Sequence, residues 1–418
     1  MESNIDLSKY RLSPEQLRWV CSPDAFSFEC TDELEELEGF LGQERALSSI
    51  EFGLRMEKPG YNLFVVGPTG TGRASAVKKC IERLVKEKKE KGSLPEINDW
   101  CYIFNFDNPD RPQVLKLPRG EGKVLSHLLD ELLKNLRDAI PKTFTGDEYK
   151  NQKQILIDEQ QRKNRQIIQE LEKKALEEGF AFRMTSMGPI LVPLVGGKPM
   201  TQEQYLALTD EEKELIENKR QELLAQISDA FDKIHQLEID LKNKIAELDR
   251  RVAEFAINPL FKEPVDKYNS YPEVLKFLES LQNFTLSYLY IFRDASETPQ
   301  QLPQLLPYQR MQDPFLPFKI NVFVDNSSLE DPPVILETHP NWTNLFGKIE
   351  RRAFMGAYFS DHTMLKSGSL HQANGGYIIM YFRDLISNPG SWEGLKRTLK
   401  NQEIRLEDPF EQFGLIVP

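Results

Sequence analysis

The chain has 418 residues, and its 65 Asp and Glu against 53 Lys and Arg give a formal net charge of −12. The length allows about two or three domains, and the acidic balance argues against nucleic-acid and anionic-membrane partners, which attract basic proteins. No apolar run approaches the roughly 20 residues of a membrane-spanning helix. The N-terminus lacks a signal-peptide core, and the four cysteines lack metal-ligand spacing. We therefore expect a soluble, cytoplasmic protein.

Regular elements are predicted around a glycine-rich loop near the N-terminus. An amphipathic helix is expected to end near residue 56, residues 62–66 have the character of a buried strand, and a helical pattern follows from about residue 74 to residue 84. A second strand is predicted at residues 100–106. Two strands joined by a helix form a right-handed βαβ unit, so the sequence predicts a parallel sheet.

The glycine-rich loop fits the phosphate-loop template at Gly67 and Gly72, where backbone N–H groups and a helix N-terminus would cradle a polyphosphate. Arg73 stands where the template has a lysine for the β- and γ-phosphates, and Ala74 stands where it has the hydroxyl that binds magnesium. The neighbouring Ser75 is placed to compensate in part. The candidate nucleotide-binding residues are Gly67, Pro68, Thr69, Gly70, Thr71, Gly72, Arg73, Ala74 and Ser75. A chance glycine turn is the alternative interpretation.

A helical hairpin is predicted from about residue 146, where the composition changes to Gln, Lys, Glu and Ile. Apolar residues spaced by threes and fours over residues 223–255 predict a long coiled-coil helix. A weaker seam over residues 157–175, with Gln161 and Asn164 on it, predicts the opposing arm. Two short strands between the arms are expected to cap the hairpin. The apolar tip would contact an unfolded client or a neighbouring subunit; a plain rigid spacer is the alternative.

The last part of the chain mixes helix, irregular structure and strands. A helical segment is predicted to follow Asn258 and Pro259 and to end near residue 292, and five prolines exclude a regular element over residues 298–317. Short strands are predicted at residues 321–325, 334–336 and 375–380, and a helix at residues 392–397.

These pieces, in this order, resemble the AAA+ module of Lon-like ATP-dependent proteases, particularly the divergent LonC/LonB-type branch. The resemblance is carried by residues 42–46, 60–64, the phosphate loop, 105–112, 345–350, 368–377 and 392–397. It implies an α/β fold, a P-loop AAA+ parallel sheet flanked by helices and interrupted by a coiled-coil hairpin. Residues 1–145 would form the lead-in and first part of the AAA+ domain, residues 146–257 the insertion, and residues 258–418 the second part.

The resemblance also implies a ring of identical subunits that admits unfolded or damaged proteins and cleaves them with a serine–lysine dyad. That dyad lies in a C-terminal domain of the family, and residues 1–418 do not supply it. We therefore predict no catalytic residue and assign no peptidase activity to this chain. It is interpreted as the N-terminal part of a longer protein or as a naturally shortened one.

The family's second nucleotide motif, the Walker B strand, is degenerate. Alignment on residues 375–380 places Tyr381 and Phe382 where an Asp-Glu pair should bind magnesium and activate water, and neither side chain ligates a hard cation. Asp384 is a candidate displaced substitute. We expect ATP or ADP to bind weakly or not at all, hydrolysis to be poor, and Mg²⁺ binding to be disfavoured. The alternative is a non-enzymatic coiled-coil scaffold or adaptor that uses the degenerate fold for assembly.

Phe354, Met355 and Gly356 match the aromatic–hydrophobic–glycine pattern of the pore loops that grip a translocating polypeptide. A core role for Phe354 is the alternative, and Tyr358 and Phe359 are rival pore residues. The lone histidines, such as His371, are expected to be hydrogen-bonded structural residues and not metal ligands.

Overall fold

A computed structural model describes residue 8 and residues 11–35, 42–58, 60–185, 188–293, 313–354 and 357–407. The chain divides into two compact units. Unit one contains residues 1–95 and 399–402, and unit two contains residues 96–398 and 403–418. Within the described ranges, no helix combines the length and apolarity needed to cross a bilayer.

Unit one is built on two packed helices, α1 (Glu44–Leu54) and α2 (Arg73–Glu90). Ile50 of α1 is buried, and Ile81 and Leu84 of α2 are also buried. Ion pairs join the helices, with Arg55 and Glu87 2.5 Å apart and Arg83 and Glu51 2.8 Å apart. Both helices were predicted, and α2 continues about six residues beyond the predicted end because its basic last turn suits a helix C-terminus.

The prediction of a buried strand at residues 62–66 is wrong. Residues 61–68 have no regular secondary structure, and the described residues of unit one contain no strand. Leu63, Phe64 and Val66 are 38, 69 and 76% exposed. A strand needs a neighbouring strand to pair its N–H and C=O groups, and the Leu63 side chain instead packs against Gly53 of α1. The predicted βαβ unit is therefore absent from the described residues.

Unit two begins with an antiparallel hairpin of β1 (Asn98–Ile103) and β2 (Gln113–Pro118). The loop between them is too short for a parallel crossover, which needs about a dozen residues or more. Asn105 closes the loop, because its side-chain oxygen accepts from the Asp107 and Asn108 N–H groups and its amide donates to the Arg111 carbonyl. The parallel sheet predicted around this strand is therefore corrected to an antiparallel one.

The next helix, α3 (Glu121–Thr145), packs one apolar stripe into the main core. The stripe repeats every three or four residues, as expected of a helix with one buried face, and consists of Leu125, Leu129, Leu132, Leu136 and Ile140. The first turn of α3 is held by the buried carboxylate of Asp99, which accepts from the Gly122 N–H at 3.0 Å. This contact ties the helix to β1.

The hairpin that follows consists of α4 (Asp147–Glu177) and α6 (Asp210–Lys267). The helices are antiparallel, because Tyr149 bonds to Asp249 near one end and Glu178, just after α4, pairs with Lys219 near the other. Between them lie β3 (Phe180–Thr185), β4 (Gly188–Val195), β5 (Lys198–Pro199) and α5 (Gln202–Leu206). The two predicted strands correspond to β3 and β4, which pair antiparallel. A separate apolar cluster holds this distal end together and includes Leu171, Ala175, Phe180, Leu191, Leu223, Ile227 and Ala230.

Helix α6 continues through Pro259 and Pro264 to Lys267, whereas the sequence predicted one helix to about residue 255 and a separate helical segment after Asn258 and Pro259. Each proline removes one backbone hydrogen bond and strains the preceding turn. Ile257 and Phe261 are buried in the main core, and their burial offsets that cost. Residue Phe255, predicted to lie on the coiled-coil seam, is 86% exposed.

Helix α7 (Pro272–Ser287) completes the main core, and β6 (Asn321–Val324) pairs antiparallel with β1 to give the order β2-β1-β6. The residues from 298 to 312 of the predicted irregular stretch lie outside the described residues, and Leu316–Phe318 form a 3₁₀ turn. The strand predicted at residues 321–325 is confirmed.

The remaining part of unit two contains a parallel strand pair, β7 (Val334–Glu337) with β12 (Tyr377–Met380), in register Glu337 to Met380. Between them in the chain lie α8 (Trp342–Phe346), β8 (Lys348–Ile349), β9 (Arg352–Phe354), β10 (Ala357–Phe359), β11 (Leu365–Lys366) and α9 (Ser369–Gln372). Helices α10 (Phe382–Ser387) and α11 (Ser391–Asn401) follow. The predicted strands near residues 334 and 377 and the final helix are confirmed.

Candidate functional site

The glycine loop turns tightly into the start of α2. Gly70 and Gly72 have positive φ values of 87° and 69°, which glycine adopts without the steric cost of a Cβ. The Thr71 hydroxyl donates to the Pro68 carbonyl at 2.9 Å and closes the turn. A Cβ at Gly67 would lie 3.3 Å from Arg73 Cδ, so the Arg73 stem folds back against the start of the loop.

Two features of this loop suit an anion. Gly72 is the N-cap of α2 and provides no side-chain cap, so the first-turn N–H groups point outward at the positive end of the helix dipole. Arg73 adds a permanent positive charge at the first helical position. The described residues around the loop nevertheless lack the preceding strand that positions a phosphate loop, and Ala74 has no hydroxyl. The loop fits a phosphate group only in part.

The carboxyl ends of β7 and β12 form the edge where the second nucleotide motif was predicted. Tyr381 is the N-cap of α10 and is 46% exposed, and Phe382 stacks edge-on against Trp392 with ring centroids 5.3 Å apart. Asp384 lies in the first turn of α10, where a carboxylate stabilises the helix dipole. The structure therefore places all three predicted residues at one strand–helix junction of unit two, and the glycine loop lies in unit one.

One carboxylate on this edge, that of Glu337, was not predicted from the sequence. Glu337 ends β7 and faces Met380 across the parallel pair. Its Oε2 lies 2.6 Å from Ser369 Oγ, and its Oε1 accepts from the His339 N–H at 2.8 Å. The strand was predicted to end one residue earlier, and extending it by that residue would have placed a carboxylate at the end of a parallel strand.

These residues do not fit a bound Mg²⁺ ion. Magnesium needs near-octahedral oxygen ligands, whereas Glu337 is held by two protein hydrogen bonds and Tyr381 and Phe382 supply no carboxylate. Across the described ranges, no cluster of His, Cys, Asp and Glu side chains is arranged to hold a metal ion.

The predicted pore residues lie at a β-hairpin. Strands β9 and β10 pair antiparallel, with Phe354 opposite Ala357. Met355 and Gly356, which connect these two residues, lie outside the described residues. The rival candidate Tyr358 is 53% exposed, and Phe359 is half-buried.

Two histidines of unit two, His362 and His371, make ring hydrogen bonds within the protein, in agreement with the structural role predicted for His371. His371 Nδ1 accepts from the Gly368 N–H at 3.1 Å, and burial lowers the pKa of His371 to about 4. The ring of His362 lies 2.7 Å from the Lys319 carbonyl, and burial also lowers the pKa of His362. Burial raises the pKa of the Cys101 thiol to about 12, so this cysteine is not a reactive thiolate.

Two family models match the chain. Residues 330–418 match the LonB-like AAA domain, and residues 99–132 match the Lon-like LonC helical domain. The first match contains β7, β12, Glu337 and Tyr381, and the second contains all but the first residue of the β1–β2 hairpin and the start of α3. Both matches support the predicted resemblance to the AAA module of Lon-like proteases, and neither match is a protease domain. No curated protein matches the chain.

Proposed function

We propose that the chain is the AAA+ substrate-handling module of a Lon-like protease system that binds nucleotide weakly or not at all and hydrolyses it poorly. One observation carries this proposal. Within residues 330–418, which match the LonB-like AAA domain, β12 runs directly into Tyr381 and Phe382, the two residues predicted from the sequence to replace the Asp-Glu pair of a working site. The module would therefore handle polypeptides without the carboxylate pair that binds magnesium and activates water in a working ATPase site.

The hydrogen bonds of Glu337 support poor hydrolysis. A general base must reach a water molecule, and losing a positioned base costs typically 10²–10⁴-fold in rate. The Glu337 carboxylate already accepts hydrogen bonds from the Ser369 hydroxyl and the His339 N–H. Asp384 lies within α10 and not at the end of β12, so it is a displaced substitute at most.

The glycine loop supports weak binding. Its N–H groups and Arg73 attract a phosphate, so ADP or ATP would be held by the backbone and one guanidinium. The missing hydroxyl at Ala74 and the absence of a described strand before Gly67 remove two of the contacts that the template supplies. Mg²⁺ has no role in this proposal.

The proposed partners are unfolded or damaged polypeptides and further copies of the chain in a ring. The β9–β10 hairpin supports the first, because the exposed Tyr358 on β10 suits the grip of an extended chain. The helices α4 and α6 are proposed to pair as a coiled coil. The four free cysteines suit a reducing compartment, so the proposed location is the cytoplasm.

The nucleotide part is tested by calorimetric titration with ADP and ATPγS together with a phosphate-release assay on ATP. We expect weak or no binding heat and no release above background. Robust turnover that Glu337→Gln abolishes, and that Glu393→Gln at an exposed position of α11 leaves intact, would overturn the proposal by assigning Glu337 the catalytic role. Turnover lost in Asp384→Asn would overturn it in the same way.

The client-handling part is tested with a fluorescein-labelled, permanently unfolded polypeptide in an anisotropy titration. We expect binding that Tyr358→Ala weakens. Phe255→Ala on α6 is the matched control, because Phe255 is an exposed aromatic residue outside the β9–β10 hairpin. Equal loss in both variants, or no binding by the unsubstituted protein, would contradict the proposal.

A second candidate function, a non-enzymatic adaptor, is supported by the exposed apolar side chains at the distal end of the α4–α6 hairpin. They include Met184, Ile190, Val195, Leu206 and Leu215. A variant that replaces residues 161–237 with a short Gly-Ser linker removes this end and retains the Tyr149–Asp249 contact and the main core. Loss of client binding in this variant favours the adaptor, and retained binding favours the AAA+ substrate-handling module.

A further inference from the structure

A polar cavity of about 470 Å³ lies at the base of the β9–β10 hairpin, and its lining is strongly basic. Four cations line it, namely Lys348, Arg351, Arg352 and Lys366. Glu350 is the one acidic residue among its described lining residues. The whole chain carries a net charge of −12, so this cavity concentrates positive charge on an otherwise acidic protein.

Two of these cations face each other in an arrangement that does not favour folding. Strands β8 and β11 pair antiparallel, and Lys348 lies directly opposite Lys366 in the register. Like charges at directly opposed positions destabilise a strand pair. Glu350 offsets the repulsion only in part, because its carboxylate oxygens lie 3.1 Å from Lys348 Nζ and 4.0 Å from Lys366 Nζ. A role in stabilising the fold therefore does not account for this pair.

The position of Glu350 indicates the kind of ligand that the cavity takes. One carboxylate already lies between Lys348 and Lys366, so the spacing of the two ammonium groups accommodates a carboxylate. About half of each lysine side chain is exposed, at 53 and 51%, so both retain access to a second anion. Arg352 adds a planar guanidinium at the start of β9, which suits bidentate binding of a carboxylate.

We propose that this cavity binds acidic segments of an extended polypeptide beside the β9–β10 hairpin. Aspartate and glutamate carboxylates would contact Lys348, Lys366 and Arg352, and the apolar side chains of Ile349 and Met364 in the same lining would contact the intervening residues. The acidic balance of the whole chain opposes a long nucleic acid or polyphosphate more strongly than a short acidic peptide. The inference rests on the proposed handling of polypeptides and names the class of segment that this surface prefers.

The test compares two fluorescein-labelled, unstructured peptides of equal length, one containing four glutamates and the other containing glutamine at those positions. Anisotropy titrations of the full chain are expected to give tighter binding of the glutamate peptide, with an advantage that falls as salt is raised because the contacts are partly exposed. The double variant Lys348→Gln and Lys366→Gln is expected to weaken glutamate-peptide binding about tenfold, since two partly exposed ion pairs each contribute a factor of about three. Binding of the glutamine peptide is expected to be unchanged.

Lys116→Gln is the matched control, because Lys116 is an exposed lysine on β2, outside the cavity lining. Arg352→Gln tests the third cation and leaves the opposed lysines in place. Thermal unfolding of the double variant is expected at an equal or higher temperature than that of the unsubstituted protein, because a like-charge repulsion is removed. A lower unfolding temperature would assign the two lysines a stabilising role and overturn the argument from the strand register.

The other outcomes separate this inference from the proposed function. Equal binding of both peptides, unaffected by the double variant, would overturn the acidic-segment site and leave client handling intact. Binding of neither peptide would contradict client handling itself. If short-chain polyphosphate binds more tightly than the glutamate peptide and the double variant loses it, the cavity is a phosphate site and the peptide assignment is wrong.

Discussion

Ser369 Oγ lies 2.6 Å from Glu337 Oε2 and 2.8 Å from the Asn344 carbonyl oxygen. This contact connects the first turn of α9 to the carboxyl end of β7, so the edge of the parallel strand pair is fixed by a serine–carboxylate hydrogen bond. The serine is 5% exposed, and its removal would leave a half-buried carboxylate without one of its two donors.

Ser369→Ala is therefore expected to lower the free energy of unfolding of unit two by about 1–3 kcal/mol, the usual cost of a buried polar group that loses its partner. Urea unfolding followed by circular dichroism measures the change. Ser228→Ala, at an exposed position of α6, is the control and should have an effect within about 0.5 kcal/mol. An equally small effect of Ser369→Ala would show that the Ser369 hydroxyl does not hold the Glu337 carboxylate in place at this edge.

The stability of unit two is expected to fall as pH decreases from about 6.5 towards 4. Burial lowers the pKa of His371 to about 4, so the unfolded chain binds a proton in this range that the folded chain does not. The unfolding free energy therefore rises with pH across this window. The contribution of His371, about 3 kcal/mol, is fully present above the pKa that its ring has in the unfolded chain. His362, whose pKa is also lowered by burial, acts in the same direction.

NMR titration of the His371 ring and urea unfolding at several pH values between 5 and 7 measure this effect. His371→Gln keeps a hydrogen-bond acceptor at the third position of α9, where glutamine is a normal capping-box residue. It should flatten the pH dependence of stability over this range. A His371 ring that titrates near 6.5 in the folded protein would contradict the prediction.

Pro259→Ala is expected to stabilise α6 by about 1–2 kcal/mol. The alanine restores a backbone N–H within a continuous helix and removes the ring clash with the preceding turn, while the more flexible unfolded chain cancels part of the gain. Residue 259 is exposed, so no packing is lost. Thermal unfolding measures the gain in stability. Pro264→Ala, at a buried position, should gain less stability. A lower unfolding temperature of Pro259→Ala would mean that the helix depends on a bend at residue 259.

Asn164 lies on α4, and its side-chain oxygen is buried without a hydrogen-bond partner among the described residues. A buried acceptor that is left unsatisfied costs about 1–3 kcal/mol. Asn164→Leu should therefore raise the unfolding temperature of the hairpin. Asn164 lies on the predicted coiled-coil seam, where a single polar residue specifies register, so the variant should be examined for altered α4–α6 pairing by a disulfide trap. A lower unfolding temperature would indicate that Asn164 makes a stabilising contact.

The elements with long or strongly periodic patterns were predictable from the sequence. The two arms of the hairpin, α1, α2 and α11 each repeat a pattern over enough residues to identify their type. The run at residues 62–66 failed because a short apolar segment carries no information about whether a partner strand lies beside it. The helical segment predicted as separate after Pro259 instead continues α6, because burial of Ile257 and Phe261 outweighs the local preference of proline.

The sequence predicted which residues follow the strand at the candidate site, but not which residues from distant parts of the chain lie beside them. Tyr381 and Phe382 were placed at the end of a strand that does pair in parallel. The sequence could not reveal that Glu337 comes to the same edge, because its partner Ser369 is 32 residues away. The opposition of Lys348 and Lys366 likewise depends on a strand register that no local pattern specifies.

The length of α6 has a mechanical consequence. Its 58 residues continue from the distal cluster of the hairpin into the main core, and about 57 Å separates Asp210 from Leu248 at 1.5 Å per residue. A rotation of about 5° at the core end would sweep the far end through about 5 Å, as a lever arm magnifies movement at its pivot. Repacking around Ile257 and Phe261 would therefore move the tip of the α4–α6 hairpin by several ångströms.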